Sequence, residues 1–300
     1  MKTHRWLANA LLLTTAAIWG LAFVAQRVGM DYVGPFTFNA VRFALGAGAL
    51  WLGERLLRQW QARQMGPTAP RLVNATWEHR WGGLALGLVL FIASSLQQMG
   101  LVFTTAGKAG FITGLYVVLV PLLGLFRRER HGWQVWVGAW LAVLGLYFLS
   151  VTGGWHIARG DALVLLSALF WAIHVRLVGR LASQAESLRL ARMQFSIVAV
   201  LSAGVALSVE TISWEGLRAA LPAILYGGLI SVGVGYTLQV VAQQYARPAQ
   251  AAIVMSLESV FALWGGIALL GEPLTARSGV GSLLMLAGMI LSQKETPPAK

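Results

Sequence analysis

The chain has 300 residues, 57% of them hydrophobic and only 11% charged, which leaves too little polar surface to cover a soluble globule, so it belongs in a bilayer. A formal charge of +12 would suggest nucleic acid in a soluble protein, but here the cations sit in loops and read as topology signals. No cysteine is present, which excludes disulfides and thiolate metal sites.

Apolar runs of about 20 residues, enough to cross roughly 30 Å of hydrocarbon, predict ten helices. They fall near 6 to 26, 35 to 57, 81 to 103, 105 to 126, 133 to 151, 161 to 180, 190 to 209, 218 to 243, 249 to 270 and 275 to 293. The chain start, with Lys2, His4 and Arg5 ahead of an apolar run, resembles a signal peptide. The run is long enough to span and nine similar segments follow, so it reads as the first crossing. Counting the N-terminus, alternate loops and the tail as inside collects seventeen of the 23 Lys and Arg residues, against five outside and Arg42 within the second helix. The expected topology is therefore N-in and C-in. Trp6, Trp77, Trp81, Trp133, Trp155 and Trp214 fall near helix ends, as an interfacial belt requires.

The chain also repeats. Trp19 and Trp171 are 152 residues apart, as are Phe43 and Phe195, while Leu96-Gln97 recurs 142 residues on as Leu238-Gln239, with Phe103 matched by Tyr245 and Ala109 by Ala251. Glu129, Gly138 and Gly145 recur 143 residues on as Glu272, Gly281 and Gly288. The change in spacing falls where the first half carries a polar loop, Arg58 to Arg80 with Pro67 and Pro70. Two units follow, 1–155 and 156–300. Each holds five predicted crossings, so the second enters from the opposite face. Inverted repeats suit alternating access around a midplane site.

Thr14 to Phe23 (TTAAIWGLAF), Val41-Arg42-Phe43, Thr105 to Leu115 (TAGKAGFITGL), Ser256 to Leu263 and Gly271-Glu272 together resemble the EamA-type group of the drug/metabolite transporter superfamily. The resemblance spans nearly the whole chain. It implies an all-α membrane fold of ten helices in two inverted five-helix repeats, exporting or exchanging small metabolites such as amino acids. It further implies a cavity lined by helices 1, 3, 4, 6, 8 and 9, with helices 5 and 10 at the periphery. Where many relatives carry proline after the acid, this chain has Ser259, which puts a borrowed kink in doubt.

Glu258 stands near the middle of the ninth predicted helix. A charge at such depth costs about 2.5–3.5 kcal/mol on insertion scales, so a cavity or partner must receive it. It could bind a substrate amine, carry a coupling proton, or pair with a buried cation. Arg42 is the candidate cation, yet the predicted boundaries put it roughly 10 Å from the outer face and Glu258 nearer 20 Å at 1.5 Å per residue. Arg42 could instead snorkel or receive a carboxylate. Tyr116 occupies the position matching Glu258 in the first repeat, so one half alone supplies the acid.

Gln97, Gln98 and Gln239 could orient a substrate or tie helices together. Trp19, Trp171 and Tyr116 could form aromatic walls or simply pack. His174, one turn past Trp171, is a candidate proton carrier, or a solvated histidine beside Arg176. Lys108 is a gate or a flanking charge. Gly138 with Gly145, Gly281 with Gly288, and Gly110 with Gly114 read as close-packing faces.

Enzyme motifs fail. Gly100 to Lys108 has the wrong glycine spacing for a phosphate loop, and Ala109 stands where Ser or Thr would hold magnesium. No nucleophile elbow or metal-ligand spacing of histidine and carboxylate appears. The reading is a carrier of the inner or plasma membrane, with no cofactor and no nucleic-acid partner, working with protons or a counter-substrate. Aromatic amino acids suit aromatic walls beside a carboxylate. A non-transporting scaffold or helper subunit, or a membrane-embedded enzyme, are the alternatives.

Overall fold

A computed structural model describes residues 2–65, 77–104, 106–150, 159–182, 187–270, 276–292 and 294. The loop residues 66–76, Trp155, Gly271-Glu272 and the Lys300 tail fall outside them, as do the side chains of Trp77 and Lys108. The described residues form helices and turns without strands, as expected where every backbone polar group must be satisfied within its own segment.

In chain order the helices are α1 (Lys2–Gly29), α2 (Pro35–Met65), α3 (Trp77–Leu101), α4 (Ala106–Gly114), α5 (Tyr116–Leu125), α6 (Trp133–Ser150), α7 (Arg159–Leu181) and α8 (Ser187–Val209). There follow α9 (Trp214–Ala219), α10 (Leu221–Leu225), a π-helical stretch (Tyr226–Tyr236), α11 (Thr237–Ala242), α12 (Pro248–Met255), α13 (Glu258–Leu270) and α14 (Ala276–Ser292). Among the described residues six stretches are long and apolar enough to cross a membrane, and three shorter apolar helices accompany them. α2 is not among the six, because Asn39 and Arg42 dilute its apolar run. Trp6, Trp81, Trp133 and Trp214 are all exposed, as belt residues should be.

Two predicted helices are broken at matched places. α4 gives way to α5 at Leu115, and α12 to α13 at Ser256-Leu257, 142 residues further on. The backbone tightens there rather than unwinding: Val118 N bonds to Leu115 O at 3.1 Å, and Val260 N to Leu257 O at 2.9 Å. Ser256 Oγ donates back to Ile253 O, and Ser259 Oγ donates across to Gly110 O, both at 2.9 Å. The break near Glu258 thus forms without proline, with Ser259 anchoring it.

Helices from the two halves pack in antiparallel pairs. Glu210, just past α8, accepts from Phe36 N at 2.8 Å and from Thr37 N and Oγ1 at 2.7 Å at the start of α2. At the other end of the pair Arg192 lies 3.6 Å from Glu54. α3 and α7 pair likewise, with Thr104 Oγ1 donating to Asp161 Oδ1 at 2.7 Å where α3 ends and α7 begins. α1 runs against the π-helical stretch, with Thr15 donating to Gly235 O and Trp19 to Ser231 O. α6 and α14 meet through Gly138 against Gly288 and Gly145 against Gly281.

Glu210 caps the α2 N-terminus from another helix, where a carboxylate complements the free N–H groups and the helix dipole. Replacing Glu210 with Ala removes three hydrogen bonds to a charged acceptor. It is expected to cost about 1.5–3 kcal/mol, read as a lowered midpoint of thermal unfolding in detergent, with Glu210→Gln retaining part of the loss.

Candidate functional site

The two helix breaks, the middle of α1 and the π-helical stretch enclose a central cavity. It is lined by Trp19, Phe23, Gln26, Arg42, Gln97, Thr113, Tyr116, Trp171, Val175, Ser231, Tyr236, Gln239 and Glu258. Its water-accessible volume is about 30 Å³, room for roughly two waters, so the site is occluded in this conformation. Seven of the residues predicted from the sequence come together here: Glu258, Trp19, Trp171, Tyr116, Gln97, Gln239 and Arg42.

Aromatic rings form the walls. Trp171 stacks on Tyr236 with centroids 6.0 Å apart, and Trp19 lies 4.6 Å from Tyr236 and 6.4 Å from Trp171. Phe43 and Phe195 support Tyr236 from behind at 6.1 and 5.7 Å. The matched residues Trp19 and Trp171, and Phe43 and Phe195, therefore meet each other across the interface between the halves.

Glu258 is 3% exposed and opens α13, where the positive end of the helix dipole favours a carboxylate. Tyr116 opens α5 at the matched position. Their polar ends lie side by side, yet Tyr116 Oη and Glu258 Oε1 both lack a hydrogen-bond partner of good geometry. Thr113 Oγ1 and both amide atoms of Gln239 are likewise buried without partners. Native interiors rarely leave such atoms unsatisfied, and where they cluster a water, ion or ligand completes them.

Arg42 does not pair with Glu258. Its Nε donates to Asn39 Oδ1 at 3.0 Å, and its guanidinium lies 5.0 Å from the Phe43 ring centroid and 5.4 Å from that of Phe38. Arginine is well suited to such stacked surroundings. At 2% exposure it is fully inside, which corrects the outward-snorkelling alternative.

Two predicted residues lie elsewhere. Gln98 Nε2 donates to Gln26 O at 3.3 Å, tying α3 to α1. His174 is completely buried behind the aromatic wall, edge-on to Trp171 and Tyr236, with Nε2 2.8 Å from Gln194 Oε1. The expectation of a solvated histidine near a helix end is thereby corrected. Gln26, Tyr236, Thr113, Ser231, Phe23 and Val175 were missed. Helical spacing within the predicted crossings could have found several: Gln26 is seven residues past Trp19, Thr113 three before Tyr116, and Tyr236 three before Gln239, spacings that share a face of an unbroken helix.

A second, wider vestibule lies at the arginine-rich end. Leu123, Arg127, Glu129, Ile173, Arg176, Leu177, Gly179, Arg180 and Pro248 surround about 480 Å³ of water-accessible space. Val175 lines the central cavity, while Ile173, Arg176 and Leu177 line the vestibule, so one layer of side chains separates them. Arg176 pairs with Glu129 through two nitrogens and also donates to Val120 O at 3.2 Å. At the opposite end Phe38, Ala220, Ala223 and Ile224 form a buried apolar cluster. Among the described residues the open vestibule thus lies at the arginine-rich end and this buried apolar cluster at the other.

An all-helical membrane chain with a polar, aromatic-walled cavity between two packed halves has the architecture of a transporter. The model of the EamA-like transporter family matches residues 6–151 and 158–293, and the chain belongs to that family. An uncharacterized transporter of Archaeoglobus fulgidus is 31% identical over 288 residues, covering 96% of this chain and 86% of the relative. A probable terminal-alkyne amino-acid exporter of Streptantibioticus cattleyicolor is 29% identical over 160 residues, 52% of this chain and 49% of that protein. A solved crystal structure shares the fold with a TM-score of 0.76 at 18% identity, covering 96% of this chain and 98% of the other.

Proposed function

We propose that this membrane transporter is a secondary carrier that exports or exchanges small amphipathic metabolites, amino acids with aromatic or apolar side chains foremost, by alternating access. The observation that carries the proposal is the cluster of buried polar atoms short of well-formed hydrogen bonds, Glu258 beside Tyr116 with Thr113 and Gln239, facing a cavity walled by Trp19, Trp171 and Tyr236. Glu258 receives the substrate ammonium, the rings take its side chain, and Arg42 and Gln239 serve its carboxylate. The water-accessible volume, about 30 Å³, is too small for such a ligand, so the halves must part to admit it.

The units 1–155 and 156–300 act as inverted copies, an arrangement that the antiparallel pairing of α2 with α8 and of α6 with α14 supports. Ten crossings with both termini in the cytoplasm of the inner membrane agree with the seventeen-to-five cation asymmetry. The vestibule then faces the cytoplasm. Transport needs no covalent chemistry, and a proton or counter-substrate occupies Glu258 on the return.

Counterflow of a labelled amino-acid panel into proteoliposomes tests the proposal. Saturable exchange of aromatic or large apolar amino acids is the expected result, accelerated by an imposed pH gradient if a proton is the returning species. A folded protein that exchanges no panel member contradicts it.

A further inference from the structure

We propose that Trp19 and Gln239 are a positioning pair for the transport cycle, bonded to each other in the opposite-facing state, where the Trp171–Gln97 bond of the present state is released. The proposal rests on the alternating-access reading above.

In this structure Trp171 Nε1 donates to Gln97 Oε1 at 2.7 Å. An indole nitrogen can only donate, so this bond fixes the amide orientation of Gln97, whose Nε2 then reaches Gln26 Oε1 at 3.3 Å. Both ends of Gln97 are used. The repeat matches Trp171 with Trp19 and Gln97 with Gln239, so the related bond would join Trp19 to Gln239. It is absent. Trp19 Nε1 donates to Ser231 O at 3.3 Å instead, and Gln239, completely buried, has neither amide atom partnered.

Trp19 already lies against the turn that precedes Gln239. A Cβ on Gly235 would lie 2.7 Å from Trp19 Nε1, and Gly235 is one helical turn before Gln239. Between Ser231 and Gln239 runs the end of an eleven-residue π-helical stretch containing four glycines. Such stretches are rare beyond one turn and favour functional sites. Re-forming part of it with α-helical bonds changes the register between α1 and α11, which brings the indole N–H from Ser231 to Gln239. In an inverted-repeat carrier the two states exchange the environments of the halves, so gaining one Trp–Gln bond entails losing the other.

The absence of cysteine lets single reporters be added directly. Leu177→Cys reports the vestibule and Ala223→Cys the buried apolar cluster at the other end, each labelled with a membrane-impermeant maleimide in monodisperse protein. Trp171→Phe should raise Ala223→Cys labelling relative to Leu177→Cys by about threefold, the change that an average transmembrane hydrogen bond corresponds to. Gln239→Leu, which loses no bond of the present state, should shift the ratio about threefold the other way. Shifts in one common direction, or no shift, would overturn the proposal. So would a Gln239→Leu variant with an unmoved ratio and weakened substrate affinity, because Gln239 would then meet the substrate instead of Trp19. Counterflow of the parent separates the two readings. Opposite shifts without parent counterflow keep the pair exchange and remove the metabolite; unmoved ratios with intact counterflow remove the pair exchange and keep the carrier.

Discussion

Glu258→Gln is expected to weaken half-saturation of amino-acid counterflow by about 10- to 100-fold or to abolish exchange, without loss of folded protein. A hydrogen bond to a charged group contributes about 1.5–3 kcal/mol, and this carboxylate sits 3% exposed with Oε1 unpartnered beside the cavity. Glutamine keeps the shape but cannot neutralise an ammonium. Because Glu258 makes no ion pair with Arg42, its replacement leaves no partner charge stranded, so the defect should appear in transport rather than stability. Counterflow and thermal unfolding of the same preparations distinguish the two.

The reverse pattern is expected for Gly288→Val, which should prevent stable assembly. A Cβ at Gly288 would stand 2.5 Å from Gly138 O, and one at Gly138 would stand 2.7 Å from Gly288 O. Both obstacles are backbone, so α6 and α14 must move apart along their contact. Overpacking of this kind costs about 1–3 kcal/mol and more where nothing yields, and membrane helices depend on such close approach. Gly48 has nothing within 4 Å of an added Cβ, so Gly48→Ala should be neutral or slightly stabilising. The yield of monodisperse protein and its thermal midpoint check both variants.

Much of this was legible in the sequence because lipid restricts the backbone to so few options. The apolar windows fell on the described helical segments, though α2 runs eight residues past its window and the windows at 105 to 126, 218 to 243 and 249 to 270 are each divided, and the recurrence of Trp19 as Trp171 and Phe43 as Phe195 foreshadowed pairs that meet across the two halves. The glycines of α6 and α14 were read as packing faces and pack accordingly. What escaped was local backbone geometry. Nothing in the pattern around Leu115 or Leu257 announces a helix break, since serine back-bonding and tight turns leave hydrophobicity unchanged. The π-helical stretch reads as an ordinary glycine-containing apolar run. Residue depth was also misjudged where it depended on packing between helices: His174 is sealed behind Tyr236 although it lies two residues from Arg176, and Gln98 faces α1 although its neighbour Gln97 faces the cavity.

Equilibrium binding of two ligands that share one aromatic ring but differ in charge tests the central claim most directly. 2-Phenylethylamine and 3-phenylpropionate would be titrated by calorimetry into the parent and Glu258→Gln. The cavity chemistry predicts that the parent prefers the amine at least about tenfold, an energy of about 1.4 kcal/mol, and that Glu258→Gln erases the preference. An equal preference in both proteins would mean that Glu258 does not receive the substrate cation, and the carrier would have to be built around another site.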